Sequence, residues 1–457
     1  MERETSAPRV ERSAMERAFG QMPLERIYVG PGAARALPAL LDELGATGDA
    51  VVLHVPDPEP GLDALVGEVT EATRSRLPAR GVTARSGRHG VILDEATVAQ
   101  AILDAGAPDL VVAVGSGTIS DLAKAVAHHH QASLVSVQSA ASVNGYSNGL
   151  SVLMRNGIKR TTPTAWPTAL LIDPDVLEAA PDRLAQAGVG DAVAIWTAPA
   201  DWYVAHALGT DPRYHERFFT PVRDHVEQLH AQRAERHRGM QALIGALTVG
   251  GLAIGAAGST APLSGCEHLM SHLIDMVAAH RDQPHDLHGA QVGAATVTCT
   301  ALWTIVMDDL DRPSALLPDA IPSMAQLEER TREAWSGIDP SGGLGRHCWS
   351  IVEAKWRALL DDVDAINAVL AKWDDHRARL RQLLPDPARP GETLRAWGAP
   401  TALSQLDPAL DEDEARWVLR TLPFVRDRVS IADLLVIMGR WDDGLHERVR
   451  QEARRMA

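Results

Sequence analysis

The stretch Leu110-Val-Val-Ala-Val-Gly115-Ser-Gly117-Thr-Ile-Ser-Asp121 reads as a strand, a tight glycine turn and the start of a helix. Five apolar residues without alternation indicate a strand buried on both faces. Gly115 and Gly117 let the backbone approach an anion. The free N–H groups and dipole of the helix over 122–129 favour a pyrophosphate there. The pattern is GxGxxS, without the third glycine of the usual dinucleotide fingerprint, so on its own it fits an ordinary βα turn equally well. Asp121 falls in the first helical turn, where an acid also suits the dipole.

Working outward, short apolar runs at 26–29 (RIYV), 50–55 (AVVLHV), 133–137 (SLVSV) and 169–172 (ALLI) alternate with helical stretches. Strand, helix, strand with apolar runs predicts a parallel sheet with βαβ connections. After the 133–137 strand comes a small, polar tract, 137–149 (VQSAASVNGYSNG), at the strand end where α/β sheets bind ligands. From about Asp173 the β-type runs stop. Helices are predicted over 182–198, 225–257, 267–279 and 289–307, with breaks near 338–345 and 383–400. The expected fold is an α/β, Rossmann-like nucleotide-binding domain over 1–178 and an all-α domain over 179–457.

The chain has 457 residues and a formal net charge of −16, which argues against nucleic acid as a partner, because phosphate backbones need a basic face. It leaves room for a small anionic substrate met by a few local cations. Lysine occurs only at 124, 159, 355 and 372. Three cysteines at this length do not form a disulfide framework. The charged first twenty residues lack the apolar core of a signal peptide. One stretch, 240–258, approaches membrane-spanning length. It is rich in Gly and Ala, no second such segment is apparent, and it reads as a buried helix. These features place the protein in the cytoplasm without membrane insertion.

Two histidines stand four apart in Gly265-Cys-Glu-His268-Leu-Met-Ser-His272 and share one helix face. His280, His285 and His288 follow, the last opening another helix. A histidine pair, a later histidine and a carboxylate have the chemistry of a catalytic metal site with an open position. The carboxylate candidate is Asp191 in Ala187-Gly-Val-Gly-Asp-Ala-Val-Ala194, read as lying after a glycine turn at a helix start. With 18 histidines in the chain, spacing alone leaves satisfied or exposed histidines as the alternative.

The segments GSGTISDLAK (115–124), SAASVNGYSNG (139–149), GIKRT (157–161), LIDPDVLEAAPDRLAQAGVGDAVA (171–194), ADW (200–202), GSTAPLSGCEHLMSH (258–272) and HGAQVG (288–293) fall in order over roughly 20–310. Together they resemble the sn-glycerol-1-phosphate dehydrogenase family. That family belongs to the superfamily of iron-containing alcohol dehydrogenases, glycerol dehydrogenase and 3-dehydroquinate synthase. The resemblance implies a dehydroquinate synthase-like fold with a helical, metal-binding C-terminal domain. It implies Asp191, His268 and His288 as ligands of a divalent metal, usually zinc, with nickel or iron in relatives. His272 matches a residue near the substrate. Gly115, Ser116, Gly117, Thr118 and Asp121 match the pyrophosphate loop, and Ser139 and Ser142 the surroundings of the nicotinamide. Asp57 matches the position near the adenosine ribose, where an acid favours NAD over NADP. Lys159 matches a cation beside substrate or cofactor. A homodimer or higher homo-oligomer is expected.

Three positions depart from the family pattern. Asn144 replaces an acid, Ala261 an arginine in the stretch before the histidine pair, and Ala290 a glutamate after His288. The first changes the charge beside the substrate, and the second removes a cation that would face a phosphate. The expected activity is metal-assisted reduction of dihydroxyacetone phosphate, or a related polyol phosphate or ketone, by NAD(P)H. His272 would relay the proton and Asn144 hydrogen-bond a hydroxyl. The competing readings are a specialised relative acting on another substrate, including a 3-dehydroquinate synthase-like cyclase or lyase that uses NAD transiently, and a non-catalytic nucleotide-binding protein.

Overall fold

The computed structural model describes residues 12–85, 87–309, 315–316 and 321–457. Residues 1–11, the first part of the stretch read as lacking a leader, lie outside them. The chain forms two compact units, Met1–Gly188 with Asp224–Gly258, and Val189–Arg223 with Ser259–Ala457. The units therefore do not divide at a single cut after 178. Helix Arg236–Ala257 returns to the sheet-bearing unit, where Ser147 donates from Oγ to the Thr248 carbonyl at 2.7 Å.

The strands in chain order are β1 (Arg26–Val29), β2 (Ala50–His54), β3 (Ala79–Thr83), β4 (Leu110–Gly115), β5 (Ser133–Gln138), β6 (Leu150–Arg155), β7 (Ile158–Pro163) and β8 (Ala169–Ile172). Six of them form one sheet in the order β1-β8-β5-β4-β2-β3 with every neighbour parallel. Alternate residues of β2, β4 and β5 enter two different cores. Val52, Val112, Val114 and Val135 pack with Leu37, Leu40 and Val69 on one face. Val51, Leu53, Val111 and Leu134 pack with Ile119, Leu122 and Val126 on the other. Burial on both faces is why these strands read as unbroken apolar runs, each buried Val or Leu contributing about 1.5–3 kcal/mol before entropy is counted. The chain runs β2 to the β3 edge, returns to β4 beside β2, then proceeds through β5 in the opposite direction. The carboxyl ends of β2 and β4 thus flank a point where strand order reverses, the usual ligand position in such sheets.

The hairpin of β6 and β7 was not anticipated. Its two-residue loop, Asn156-Gly157, has positive φ at both positions (50° and 73°), as a type I′ turn requires.

The second unit is helical, including Ala198–Ala207, Cys266–Arg281, His288–Asp309 and a series from Met324–Ser336 to Asp443–Met456. The expectation of a single membrane-like segment is corrected here, since His288–Asp308 is also long and apolar enough. Thr296, Thr300 and Thr304 hide its apolar character in sequence. Each hydroxyl donates to the carbonyl four residues back, so the helix carries them without exposing polar groups. The apolar stretches of Arg236–Ala257 and His288–Asp308 are 67% and 83% buried within the chain, as core helices are.

Candidate metal centre and nucleotide loop

Helix Cys266–Arg281 places His268 and His272 one turn apart, both buried. The helix opening at His288 lies alongside, with the His268 and His288 ring centroids 5.3 Å apart. Asp191 completes the group. One ligand atom from each of Asp191, His268 and His288 lies within 4.8 Å of the others. Nε2 of His268 is 3.3 Å from Oδ1 of Asp191. Donors about 2.0–2.2 Å from one tetrahedral ion sit about 3.3–3.6 Å apart, so this edge already has metal-site dimensions. Asp191 and the neighbouring Glu267 are both buried, at 2% and 0% exposure. Two buried carboxylates require a compensating cation. The donor set and its charge both fit a divalent ion.

Asp191 does not stand at a helix start. It lies in the last turn of helix Asp182–Val193, and the glycines read as a turn are helical. They are there for backbone contact. A Cβ on Gly190 would meet the Gly289 carbonyl oxygen at 2.0 Å, and one on Gly293 would meet the Gly190 Cα at 2.8 Å. Gly190 therefore lets the Asp191 helix touch the His288 helix main chain to main chain.

Each ligating imidazole is oriented by its other nitrogen. His268 Nδ1 donates to Glu267 Oε1 at 3.0 Å, leaving Nε2 towards Asp191. Glu267 is itself held by the Thr197 hydroxyl (2.8 Å) and the Gly265 N–H (2.5 Å). For His288 the direction of donation follows from the chain of partners. Ser271 donates from Oγ to Gln291 Oε1 at 2.6 Å, and a carbonyl oxygen only accepts. Ser271 Oγ must then accept from His288 Nδ1–H at 2.8 Å, which leaves Nε2 of His288 with its lone pair available. Gln291 is fixed in turn by donating to Asp275 Oδ1 at 2.9 Å. Sequence reading missed Glu267, Ser271, Asp275 and Gln291. Glu267, Ser271 and Gln291 lie inside the motif segments and Asp275 two turns beyond His268, but only the fold shows which atom each touches. His272 stacks on His288 at 6.1 Å between centroids, beside the ligand group and outside it.

Burial alone would lower the His268 pKa. Hydrogen bonds to Asp191 and Glu267 outweigh it, and the net shift is upward. Burial pushes Glu267 up, but the His268 hydrogen bond brings it below the usual carboxylate value. Asp201, which accepts from the Cys266 and Ile431 N–H groups, is raised to about 7 by burial and by repulsion from Glu267.

In the sheet-bearing unit, Gly115 ends β4 and helix Gly117–His130 begins at once. Ser116 is its N-cap residue, yet its hydroxyl makes no capping hydrogen bond. Ser116, Gly117 and Thr118 are half-exposed. The first-turn N–H groups and the Ser116 hydroxyl are thus suited to an anion. Ser139 follows β5, and its N–H donates to the Gly115 carbonyl at 3.2 Å. Asp57 follows β2, exposed, at positive φ (43°). Residues 57, 115–118 and 139 therefore stand at the carboxyl ends of three neighbouring strands.

Asp121 sits differently. Its Oδ1 accepts from Lys124 at 3.1 Å and its Oδ2 from the Val152 N–H at 2.9 Å. Lys124 is fully buried and also donates to the Gly145 and Leu150 carbonyls. The pair ties the glycine-loop helix to the 145–152 segment, and burial lowers the Lys124 pKa despite Asp121. Buried Ser142 lies 3.4 Å from the Tyr146 hydroxyl, which donates to the Ala140 carbonyl. Burial pushes the Tyr146 phenol upward, so it stays a donor. Asn144 caps the short turn Gly145–Ser147, and half-buried Lys159 lies on β7 opposite Met154.

A family model described as iron-containing alcohol dehydrogenase matches residues 28–181. A glycerol-1-phosphate dehydrogenase [NAD(P)+] of Bacillus velezensis is 37% identical over 207 residues, covering 44% of this chain and 52% of that protein. One from Hyperthermus butylicus is 30% identical over 278 residues, covering 60% and 76%. The fold resembles a probable glycerol dehydrogenase from Sinorhizobium meliloti, with a TM-score of 0.55, 16% identity and coverage of 93% and 97%. The chain belongs to the glycerol-1-phosphate dehydrogenase family of iron-containing alcohol dehydrogenases. Its match spans about half the length of the Bacillus velezensis relative.

Proposed function

We propose that this chain is a metal-dependent, NAD(P)-linked dehydrogenase that reduces dihydroxyacetone phosphate, or a related polyol phosphate or ketone. The observation that carries the reading is the Asp191, His268 and His288 group, two of its members buried and the third half-buried, with its 3.3 Å ligand edge. The mixed nitrogen and oxygen donors suit zinc, with nickel or iron as the alternatives, and such an ion supplies Lewis-acid polarisation of a carbonyl. NAD or NADP supplies the hydride chemistry.

The chain's own residues hold and orient. Gly115, Ser116, Gly117 and Thr118 grip the pyrophosphate through backbone N–H groups and the Ser116 hydroxyl. Asp121 secures that loop to the hairpin. Ser139 and Ser142 face the nicotinamide side, and Asp57 the adenosine ribose, where an acid favours NAD. Glu267 and the Ser271–Gln291 pair keep Nε2 of both ligand imidazoles free of protons. His272 moves the substrate proton, as an imidazole beside the reacting oxygen can. Asn144 hydrogen-bonds a substrate hydroxyl, and Lys159 offers a cation. The sheet-bearing unit binds the nucleotide and the helical unit the metal. The enzyme works in the cytoplasm as a homodimer or higher homo-oligomer.

The test is NADH oxidation by the purified, zinc-loaded protein with dihydroxyacetone phosphate. Turnover by the wild type and none by His268→Ala is expected. Full activity in metal-free His268→Ala overturns the reading.

A further inference from the structure

Arg428 lies between the short turn Leu422–Phe424 and helix Ile431–Ile437, in a part of the chain where the sequence offered no readable chemistry. Its Nη2 donates to the Thr260 hydroxyl, one residue before the Ala261 that departs from the family pattern. Ile431, three residues on, donates its N–H to Asp201 Oδ1 at 3.1 Å. The 428–431 segment is therefore laid along the turn that leads into the His268 helix. That turn, Ala261–Leu263, packs on the short helix Ala194–Trp196 that follows Asp191.

The guanidinium has a donor to spare. Arg428 Nη1 is buried and has no hydrogen-bond partner among the described residues. The acids whose charge it feels are Asp427, Glu267, Asp201 and Asp211. Three of them are engaged elsewhere. Asp201 accepts from two backbone N–H groups, Glu267 from His268, Thr197 and Gly265, and Asp211 from the Arg213 fork and Trp202. Asp427 is exposed. Burial lowers the guanidinium pKa and these acids work against that shift, yet none of the engaged ones occupies Nη1. A buried guanidinium donor with no acceptor is costly, and an anionic oxygen is its natural complement.

We propose that Arg428 supplies the anion-binding cation missing at position 261, and that it receives the phosphate of the substrate. The inference rests on the dehydrogenase reading for the identity of that substrate, and on the Thr260 contact and buried Nη1 for the residue. It makes this chain's choice of a phosphorylated ketone depend on a side chain from its C-terminal region.

The experiment compares wild type, Arg428→Met, Arg428→Lys and the double variant Ala261→Arg/Arg428→Met, all zinc-loaded. Inorganic phosphate is titrated calorimetrically, and KM is measured for dihydroxyacetone phosphate and for dihydroxyacetone. Loss of a charge-assisted hydrogen bond should weaken phosphate binding in Arg428→Met by about 10- to 100-fold and raise the phosphorylated KM alike. The dihydroxyacetone KM and Tm should stay near wild type, and Ala261→Arg should recover most of the loss. If Arg428→Met does not fold, Arg428→Lys decides, with phosphate binding weakened at unchanged Tm. Unchanged phosphate affinity, or a parallel rise of both KM values with a fall in Tm, overturns the inference in favour of a purely structural arginine. Arg428-dependent phosphate binding without any NADH-linked turnover leaves the inference standing and removes the dehydrogenase reading. Turnover insensitive to Arg428 does the reverse.

Discussion

The Asp191, His268 and His288 group is made of side chains, while the 115–118 loop is made of backbone. In the first, Asp191 and His268 are buried, His288 is half-buried, and each imidazole is oriented by a second partner, Glu267 for His268 and Ser271 for His288. In the second, the ligand-facing groups are main-chain N–H groups and one half-exposed hydroxyl, positioned by the strand-to-helix turn itself. The difference teaches where each is fragile. A side-chain site fails when one atom is removed, whereas a backbone loop survives loss of a side chain and fails only when the turn is deformed.

Mutations should separate the two. Replacing His288 with Ala removes one of three protein ligands. Metal content by plasma emission should fall from one ion per chain to near zero, and activity with it. Retention of stoichiometric metal would break the contrast at its strongest point.

Glycine substitutions sharpen it further. Gly190→Ala drives a Cβ into the Gly289 carbonyl, a main-chain atom that cannot rotate away. Overpacking of this kind costs about 3 kcal/mol, and thermal unfolding should show a clear fall in Tm together with weakened metal binding. Gly117→Ala meets a methyl of Val143 at 2.5 Å, a side chain that can adjust, so its Tm should move less.

Gln291→Leu leaves Ser271 without its acceptor and frees the hydroxyl to donate to His288, with the wrong tautomer as the consequence. Zinc affinity by competition with a chelator should drop about 10- to 100-fold, while the fold, read by circular dichroism, stays intact. The smallest effect should be Ser116→Ala. One neutral hydrogen bond implies a rise of about 2- to 10-fold in the cofactor KM, with zinc content unchanged.

Much of the sheet was legible because strands buried on both faces leave unbroken apolar runs, as in 110–114 and 169–172. The edge strand β3 (ARGVT) was not, because it is largely exposed and has no such run. The β6–β7 hairpin carries one signal, Asn156-Gly157, set among polar residues. The 383–400 stretch reads as a break, yet Pro390 in the first turn and Gly398 at the C-cap delimit helix Arg389–Trp397. Conversely, 225–257 read as one helix but is interrupted between Ala231 and Arg236, and neither glycine nor proline marks the spot.

At the candidate site, the three ligand residues were found through the family resemblance, since histidine spacing alone did not single them out. Their orienting partners were beyond reach of sequence. Whether Ser271 faces His288, or Arg428 faces Thr260 across 168 residues, is decided by helix packing and not by local pattern.

The most direct test of the account is X-ray absorption at the zinc edge on the zinc-loaded protein. The expected result is one ion per chain with two imidazole nitrogens and a carboxylate oxygen at about 2.0–2.2 Å, and loss of the bound zinc in His288→Ala. A wild-type protein that binds no stoichiometric ion, or one whose zinc environment is unchanged by His268→Ala, His288→Ala and Asp191→Ala, would contradict it.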